Sequence, residues 1–250
     1  MVINHLFTQK SNSQKCIAVL IDPDQYGSKT NEIFEIAQSF RIDLFLVGGS
    51  LVSSDVTQNC VEQLKNLGAK NVVLFPGHEM QLVENADAIL FMSLISGRNP
   101  EFLIGKHITA APWIKKHNIE AIPTGYMLVE SGKITSALYM SNTMPLPNDK
   151  PDIAAATAMA GEFLGMKVMY LDAGSGAQNP VPKSIIKAVK ENTNCILFVG
   201  GGIKSASDAK NAWSNGADYI VVGNGIFDNT QLLSDLCLEM NQMNSTLTNQ

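Results

Sequence analysis

Tyr170-Leu171-Asp172-Ala173-Gly174-Ser175-Gly176, then Gly200-Gly201-Gly202, then Gly223-Asn224-Gly225 punctuate the last third of a 250-residue chain. Each glycine cluster directly follows a short apolar run, at Lys167–Leu171, Cys195–Val199 and Tyr219–Val222. Runs rich in Val, Ile and Leu, with no polar alternation, predict parallel strands buried on both faces. Toward the N-terminus the pattern recurs at Cys16–Ile21, Asp43–Val47, Asn71–Phe75, Ala88–Met92 and Glu120–Ile122. Helical patterns separate these runs, at Thr30–Phe40, Val56–Leu67, a short one near His78–Glu84, and Glu101–Lys116. They continue at Asp152–Leu164, Pro182–Glu191, Ala206–Asn215 and Gln231–Met243. Eight strands alternating with eight helices predict an α/β protein, a single (β/α)8 TIM barrel, over an open doubly wound sheet.

The segment Met127–Lys150 breaks the rhythm with Gly132, Asn142, Pro145, Pro147 and Asn148. An excursion at that end of a strand is where barrels place substrate-covering loops. The polar stretch Asn241–Gln250 is expected to fray, and no linker or repeat divides residues 1–250, so one domain is expected.

In a barrel the C-terminal strand ends form the active face, and the loops after the last strands commonly hold phosphate. Glycine suits such loops because it tolerates positive φ and lets the backbone approach a ligand closely. One cluster could be a tight turn with no ligand; three at consecutive strand ends point to a site for a phosphate ester. Ser205, after the second cluster, is a candidate N-cap whose helix would turn free N–H groups toward an anion.

Composition narrows the function classes. The chain is 45% hydrophobic and 16% charged with net charge -5, and no Lys/Arg stripe suggests nucleic-acid binding. Cys16, Cys60, Cys195 and Cys237 form no C-x-x-C pair and read as free thiols in a reducing compartment. The N-terminus lacks the basic and apolar regions of a signal peptide, and no apolar run is long enough for a transmembrane segment, so a cytoplasmic location is expected. His5, His78, His107 and His117 lack zinc-site spacing.

A second set of polar residues ends the early strands. Asp22 and Asp24 flank Pro23, which stiffens the turn and biases Asp22 toward extended backbone. Gly48-Gly49-Ser50 ends the next strand and adds a hydroxyl. Carboxylate and hydroxyl oxygens are hard ligands suited to magnesium, which keeps several waters. An N-cap or turn aspartate is the alternative reading. Apolar and aromatic residues at Phe91–Leu94, Tyr126–Leu128 and Tyr139–Met140 either fill the core or line an apolar groove, with Tyr126 and Tyr139 as groove candidates.

Six segments, LIDPDQ from Leu20, VGGS from Val47, IPTGYMLVE from Ile122, YLDAGSGA from Tyr170, VGGGIKS from Val199 and VVGNGIF from Val221, run in one order across nearly the whole chain. In them the chain resembles the geranylgeranylglyceryl phosphate synthases, a family that includes shorter bacterial heptaprenylglyceryl phosphate synthases. The resemblance implies a magnesium-dependent prenyltransferase of ether-lipid biosynthesis. Such an enzyme joins sn-glycerol 1-phosphate to a long polyprenyl diphosphate, geranylgeranyl diphosphate above all, and releases diphosphate. It implies Asp22 and Ser50 as magnesium ligands. It implies a glycerol phosphate site at Tyr170, Leu171, Asp172, Ala173, Gly174, Ser175, Gly176, Gly201, Gly202, Gly223 and Asn224. It further implies a homo-oligomer, dimer or hexamer, and transient membrane-surface contact for the lipid product. The length and the DPD motif resemble the larger, archaeal-type branch; the smaller branch carries lysine where Leu20 stands. Many relatives have Glu where this chain has Asp172. Asp172 is the candidate to deprotonate the glycerol hydroxyl, or else it braces its loop. A phosphosugar isomerase or lyase on the same barrel, or a non-catalytic phosphate-binding barrel, would share the glycine loops.

Overall fold

The computed structural model describes residues 1–25, 27–50 and 56–247, beginning with helix α1 (Val2–Ser11) and strand β1 (Cys16–Ile21). There follow α2 (Ser28–Ser39), β2 (Leu44–Val47), α3 (Thr57–Asn66), β3 (Asn71–Leu74), β4 (Ala88–Leu94), α4 (Lys106–Lys116) and β5 (Glu120–Leu128). The chain continues through α5 (Ser136–Ser141), α6 (Pro151–Phe163), β6 (Val168–Asp172), α7 (Lys183–Asn192) and β7 (Ile196–Gly200). It ends with α8 (Ala206–Ser214), β8 (Tyr219–Val222), α9 (Asn224–Asp228) and α10 (Gln231–Leu247). Each strand pairs in parallel with the next, and β8 pairs with β1, so the eight strands close into the expected barrel.

Closure explains the unbroken apolar strands. One buried cluster fills the barrel, with Leu46, Leu90, Ile122 and Phe198 among its members. A second lies between the sheet and the helices and includes Phe45, Leu171, Ile185 and Trp213. Alternate strand residues enter alternate layers, so every position of β2, β6, β7 and β8 is buried.

Helix α1 is an element the sequence reading did not include. Its Val2 and Leu6, one turn apart, pack into the inner cluster. The Glu120 carboxylate at the start of β5 accepts from the N–H groups of Val2 and Ile3, satisfying donors that a helix start leaves without partners. The N-terminal end of the barrel is thereby plugged, and its mouth lies at the C-terminal strand ends.

Three expectations are corrected. Between β3 and β4 the described residues hold a single 3-10 turn, Glu79–Gln81, in place of a helix near His78–Glu84. His78 Nδ1 accepts from Met80 N at 3.2 Å, and Leu82 is already extended, so the turn ends at once. Strand β5 continues past Pro123 to Leu128 because proline removes only a donor; its carbonyl still accepts from Lys167 N at 2.9 Å. Helix α10 runs to Leu247, through most of the stretch expected to fray, with residues 248–250 outside the described residues.

The expected excursion after β5 forms α5 and returns as a bridge between Val129 and Leu146. Leu146 N donates to Leu128 O at 2.8 Å and Glu130 N to Leu146 O at 2.9 Å, which seats the excursion against the end of β5.

Candidate active site

A cavity of about 1640 Å³ opens at the C-terminal strand ends. Strand register builds its floor. Tyr126, Tyr170, Phe198 and Tyr219 are successive cross-strand partners on β5 to β8 and form one aromatic rung inside the barrel. Phe75 joins it, with ring centroids 5.5 Å from Tyr170 and 5.9 Å from Tyr126. Gly200 has no Cβ for a steric reason: one would lie 2.6 Å from the Tyr170 hydroxyl.

Two residues beyond Tyr170, on the same face of β6, stands Asp172, only 6% exposed. Its Oδ2 accepts from the Tyr126 hydroxyl at 2.5 Å, and its Oδ1 from Gly174 N at 2.7 Å. Burial pushes the Asp172 carboxyl above the usual carboxylate range, while those two hydrogen bonds pull the other way. Tyr126, buried beside a carboxylate, is pushed far above its ordinary value and stays a donor. A carboxylate has about four acceptor positions, so these two donors leave Asp172 able to accept from a ligand hydroxyl.

The glycine loops close around this carboxylate. Gly201 lies at φ +76°, and a Cβ there would sit 2.6 Å from Gly174 N and 2.8 Å from Asp172 Oδ1. Asn224 Nδ2 donates to Ser175 Oγ at 2.8 Å, tying the loop after β8 to the loop after β6. Helices α8 and α9 start at this rim, where the first N–H groups of a helix lack intrahelical partners. Ser205 caps α8 as expected, its Oγ accepting from Asp208 N at 3.2 Å.

On the strand next to β8, Asp22 ends β1. Its Oδ1 accepts from Asp24 N at 3.1 Å, and the Gly49 backbone lies against the carboxylate, with an ideal Gly49 Cβ 3.1 Å from Oδ1. Burial raises the Asp22 carboxyl above its ordinary value; the Asp24 N–H opposes that and the Asp24 charge adds to it. Apolar side chains, including Phe75, Met92, Leu94, Phe102 and Met140, line another part of the cavity wall.

A family model described as the PcrB family matches residues 10–241. The chain belongs to the PcrB family. The geranylgeranylglyceryl phosphate synthase of Spirosoma linguale is 46% identical over 239 residues, 95% of this chain and 96% of its own. That of Pyrococcus horikoshii is 40% identical, with 87% and 86% covered. The crystal structure of the Thermoplasma acidophilum (S)-3-O-geranylgeranylglyceryl phosphate synthase in complex with substrate sn-glycerol-1-phosphate matches with TM-score 0.90 at 28% identity. It covers 97% of this chain and 99% of that one.

In this PcrB-family barrel most residues singled out from sequence come to one cavity. Asp22, Ser50, Tyr126, Tyr170 and Asp172 line it, as do Gly174, Ser175, Gly176, Gly201, Gly202, Gly223 and Asn224. Leu171 and Ala173 do not: strand alternation turns them into the outer apolar layer, where they brace the loop from behind. Tyr139 is 75% exposed and also lies off the cavity, because α5 presents Ala137, Met140 and Ser141 inward instead. Tyr126 contributes its hydroxyl, on Asp172, as well as its ring, against Phe75 and Tyr170.

Sequence reasoning missed Gln81, Lys106 and Lys204, which also line the cavity. Lys106 Nζ pairs with Glu79 at 2.8 Å, a hydrogen bond that lowers the Glu79 pKa, and so anchors the 3-10 turn to α4. Lys204 lies within the VGGGIKS segment, where the glycines drew the reading; no local motif marks Gln81 or Lys106, which only the fold brings to the mouth.

The donor set at Asp22 and Ser50 suits magnesium. Among the described residues no three His, Cys, Asp or Glu side chains gather as a metal cluster. Magnesium needs few protein ligands and completes its shell with water and substrate phosphate. The half-buried Asp22 carboxylate, with a backbone N–H on one oxygen, fits that role.

Gly223 offers a test of the rim. The nearest atoms to an added Cβ are those of the Leu20 side chain, from 3.3 Å, a tight contact that this flexible side chain can relieve. The backbone, at φ -133° and ψ -110°, suits glycine or alanine better than a β-branched residue. Gly223→Ala, with thermal melting as the check on the fold, places a methyl group at this rim. Calorimetry should show affinity for glycerol 1-phosphate weakened by about tenfold or more; unchanged affinity would remove the loop after β8 from the site.

Proposed function

We propose that this PcrB-family protein is a prenyltransferase of the geranylgeranylglyceryl phosphate synthase type, active in ether-lipid biosynthesis. It joins sn-glycerol 1-phosphate to a long polyprenyl diphosphate, with geranylgeranyl diphosphate the favoured donor. The observation that carries this reading is the meeting of a glycine rim, a buried carboxylate and an apolar wall in one cavity.

The glycine rim and the helix starts behind it receive the phosphate through backbone N–H groups. The apolar wall of Phe75, Met92, Leu94 and Phe102 takes the prenyl chain. Asp22 and Ser50 would hold magnesium, which when bound supplies charge stabilisation to the departing diphosphate. A new bond forms between the terminal glycerol oxygen and prenyl C1 as the C1–O bond to diphosphate breaks. The hydroxyl proton passes to Asp172, which Tyr126 and Gly174 hold in place. Positioning both reactants contributes several kcal/mol of the rate gain.

A product assay with labelled glycerol 1-phosphate, both glycerol phosphate enantiomers and a ladder of prenyl diphosphates tests this. Ether product from the sn-1 enantiomer is expected; glycerol phosphate binding with no product from any donor would favour the non-catalytic alternative.

The pH profile tests Asp172 as the base. Only its ionised form accepts a proton, so activity falls as pH drops through its raised pKa. The acid limb of kcat/KM is expected above the ordinary carboxylate range. Tyr126→Phe removes a hydrogen bond that favours the ionised form, so the limb should move further up in pH. A limb unmoved by that change would take Asp172 out of the proton transfer.

No helix among the described residues is long and apolar enough to cross a membrane. Met80 and Met140 are exposed at the cavity mouth, which suits brief contact with a membrane surface during product release. Exposed Ile104 and Ile108, with Phe163 and Leu164 elsewhere, suit assembly as a homo-oligomer. The free, mostly buried cysteines suit a reducing cytoplasm.

A further inference from the structure

Gln81 is 5% exposed, and among the described residues its amide hydrogen bonds all go to backbone. Nε2 donates to Gly49 O at 2.9 Å, while Oε1 accepts from Gly77 N at 3.2 Å and Gly49 N at 3.5 Å. One side chain thus grips both faces of Gly49 and ties the loop after β2 to the loop after β3. The two loops are in backbone contact, since a Cβ on Gly77 would stand 2.5 Å from Gly49 O. The Gly49 backbone in turn lies on the Asp22 carboxylate.

We propose that Gln81 is a positioning residue that orients the Gly49–Ser50 peptide and so presents the Ser50 hydroxyl beside Asp22 to a divalent cation. The carbonyl that Gln81 holds belongs to the peptide joining Gly49 to Ser50. Rotation of that peptide would swing Ser50, and backbone glycine by itself resists such rotation weakly. The turn carrying Gln81 is pinned from outside by the Lys106–Glu79 ion pair, so the grip is made from a held support. Residues that orient metal ligands typically change metal affinity by about 10–100-fold. This inference rests on the reading of Asp22 and Ser50 as the cation site.

The test uses the full chain and measures binding of Mn2+ with inorganic diphosphate by electron paramagnetic resonance, and of glycerol 1-phosphate by calorimetry. Gln81→Met keeps the volume and removes every hydrogen bond. Gln81→Asn keeps an amide that is too short to reach, and serves if the first variant does not fold. Both are expected to weaken Mn2+–diphosphate binding by about 10–100-fold. Glycerol phosphate affinity, set by the opposite rim, should stay within about twofold because distant sites act independently. Asp22→Ala is the control. If that control loses the cation while a folded Gln81 variant keeps wild-type affinity, the role of Gln81 is overturned and the cation site stands. If Asp22→Ala binds Mn2+–diphosphate normally, the cation site itself is wrong and the inference falls with it. A parallel loss of both ligands in the Gln81 variants would show that Gln81 only supports the fold, which also overturns the proposal.

Discussion

Asp22→Ala is expected to abolish product formation from glycerol 1-phosphate and a prenyl diphosphate, a loss on the order of 10³-fold or more in kcat/KM. Charge stabilisation of a leaving diphosphate is worth several kcal/mol, and each 1.4 kcal/mol is about tenfold in rate. The fold should survive. Burial raises the Asp22 carboxyl above its ordinary range, so its ionised form is disfavoured in the folded chain. A carboxyl with a raised folded pKa opposes folding above that pKa, so its removal does not weaken the protein at neutral pH. The lost acceptor for Asp24 N lies in an exposed turn where water replaces it. Single-turnover assays across a magnesium titration, alongside thermal melting, check both halves. Undiminished magnesium-dependent turnover would take Asp22 out of the chemistry.

Asp172→Asn is expected to lower kcat by about 10²–10⁴-fold, the range for loss of a general base. Affinity for glycerol 1-phosphate should change little. The amide oxygen can still accept from Gly174 N, and the rim from Gly201 to Asn224 is untouched. Asn cannot accept the proton that the glycerol hydroxyl must lose. Rapid-quench measurement with calorimetry separates the two effects. Turnover near the wild-type rate would mean that Asp172 braces the loop between Tyr126 and Gly201 and does no more.

Strands β1 and β8 were legible to the residue, since six and four consecutive apolar residues between polar boundaries admit few other readings. The glycine loops were legible because glycine is a local signal. Strand parity was present in the sequence as well. Applied at β6, it separates the inward Tyr170 and Asp172 from the outward Leu171. Helix α1 carried a fainter signal, the apolar pairs Val2-Ile3 and Leu6-Phe7 at one-turn spacing. The second half of β5 was hidden because Pro-Thr-Gly reads as a loop, and only pairing to β4 and β6 holds it extended.

By itself, then, the order of apolar runs and glycines determined an eight-stranded barrel with a glycine-rich rim, because strand burial and loop conformation depend on near neighbours in the chain. Three things were decided by tertiary structure alone. Closure brought Asp22 to the cavity that Gly223 lines. Register between β5 and β6 set the Tyr126 hydroxyl on Asp172. Contact between the loops after β2 and β3 gave Gln81 its backbone partners. Each of these depends on which strands are neighbours and at what offset, a property of the closed sheet that no local pattern of residues encodes.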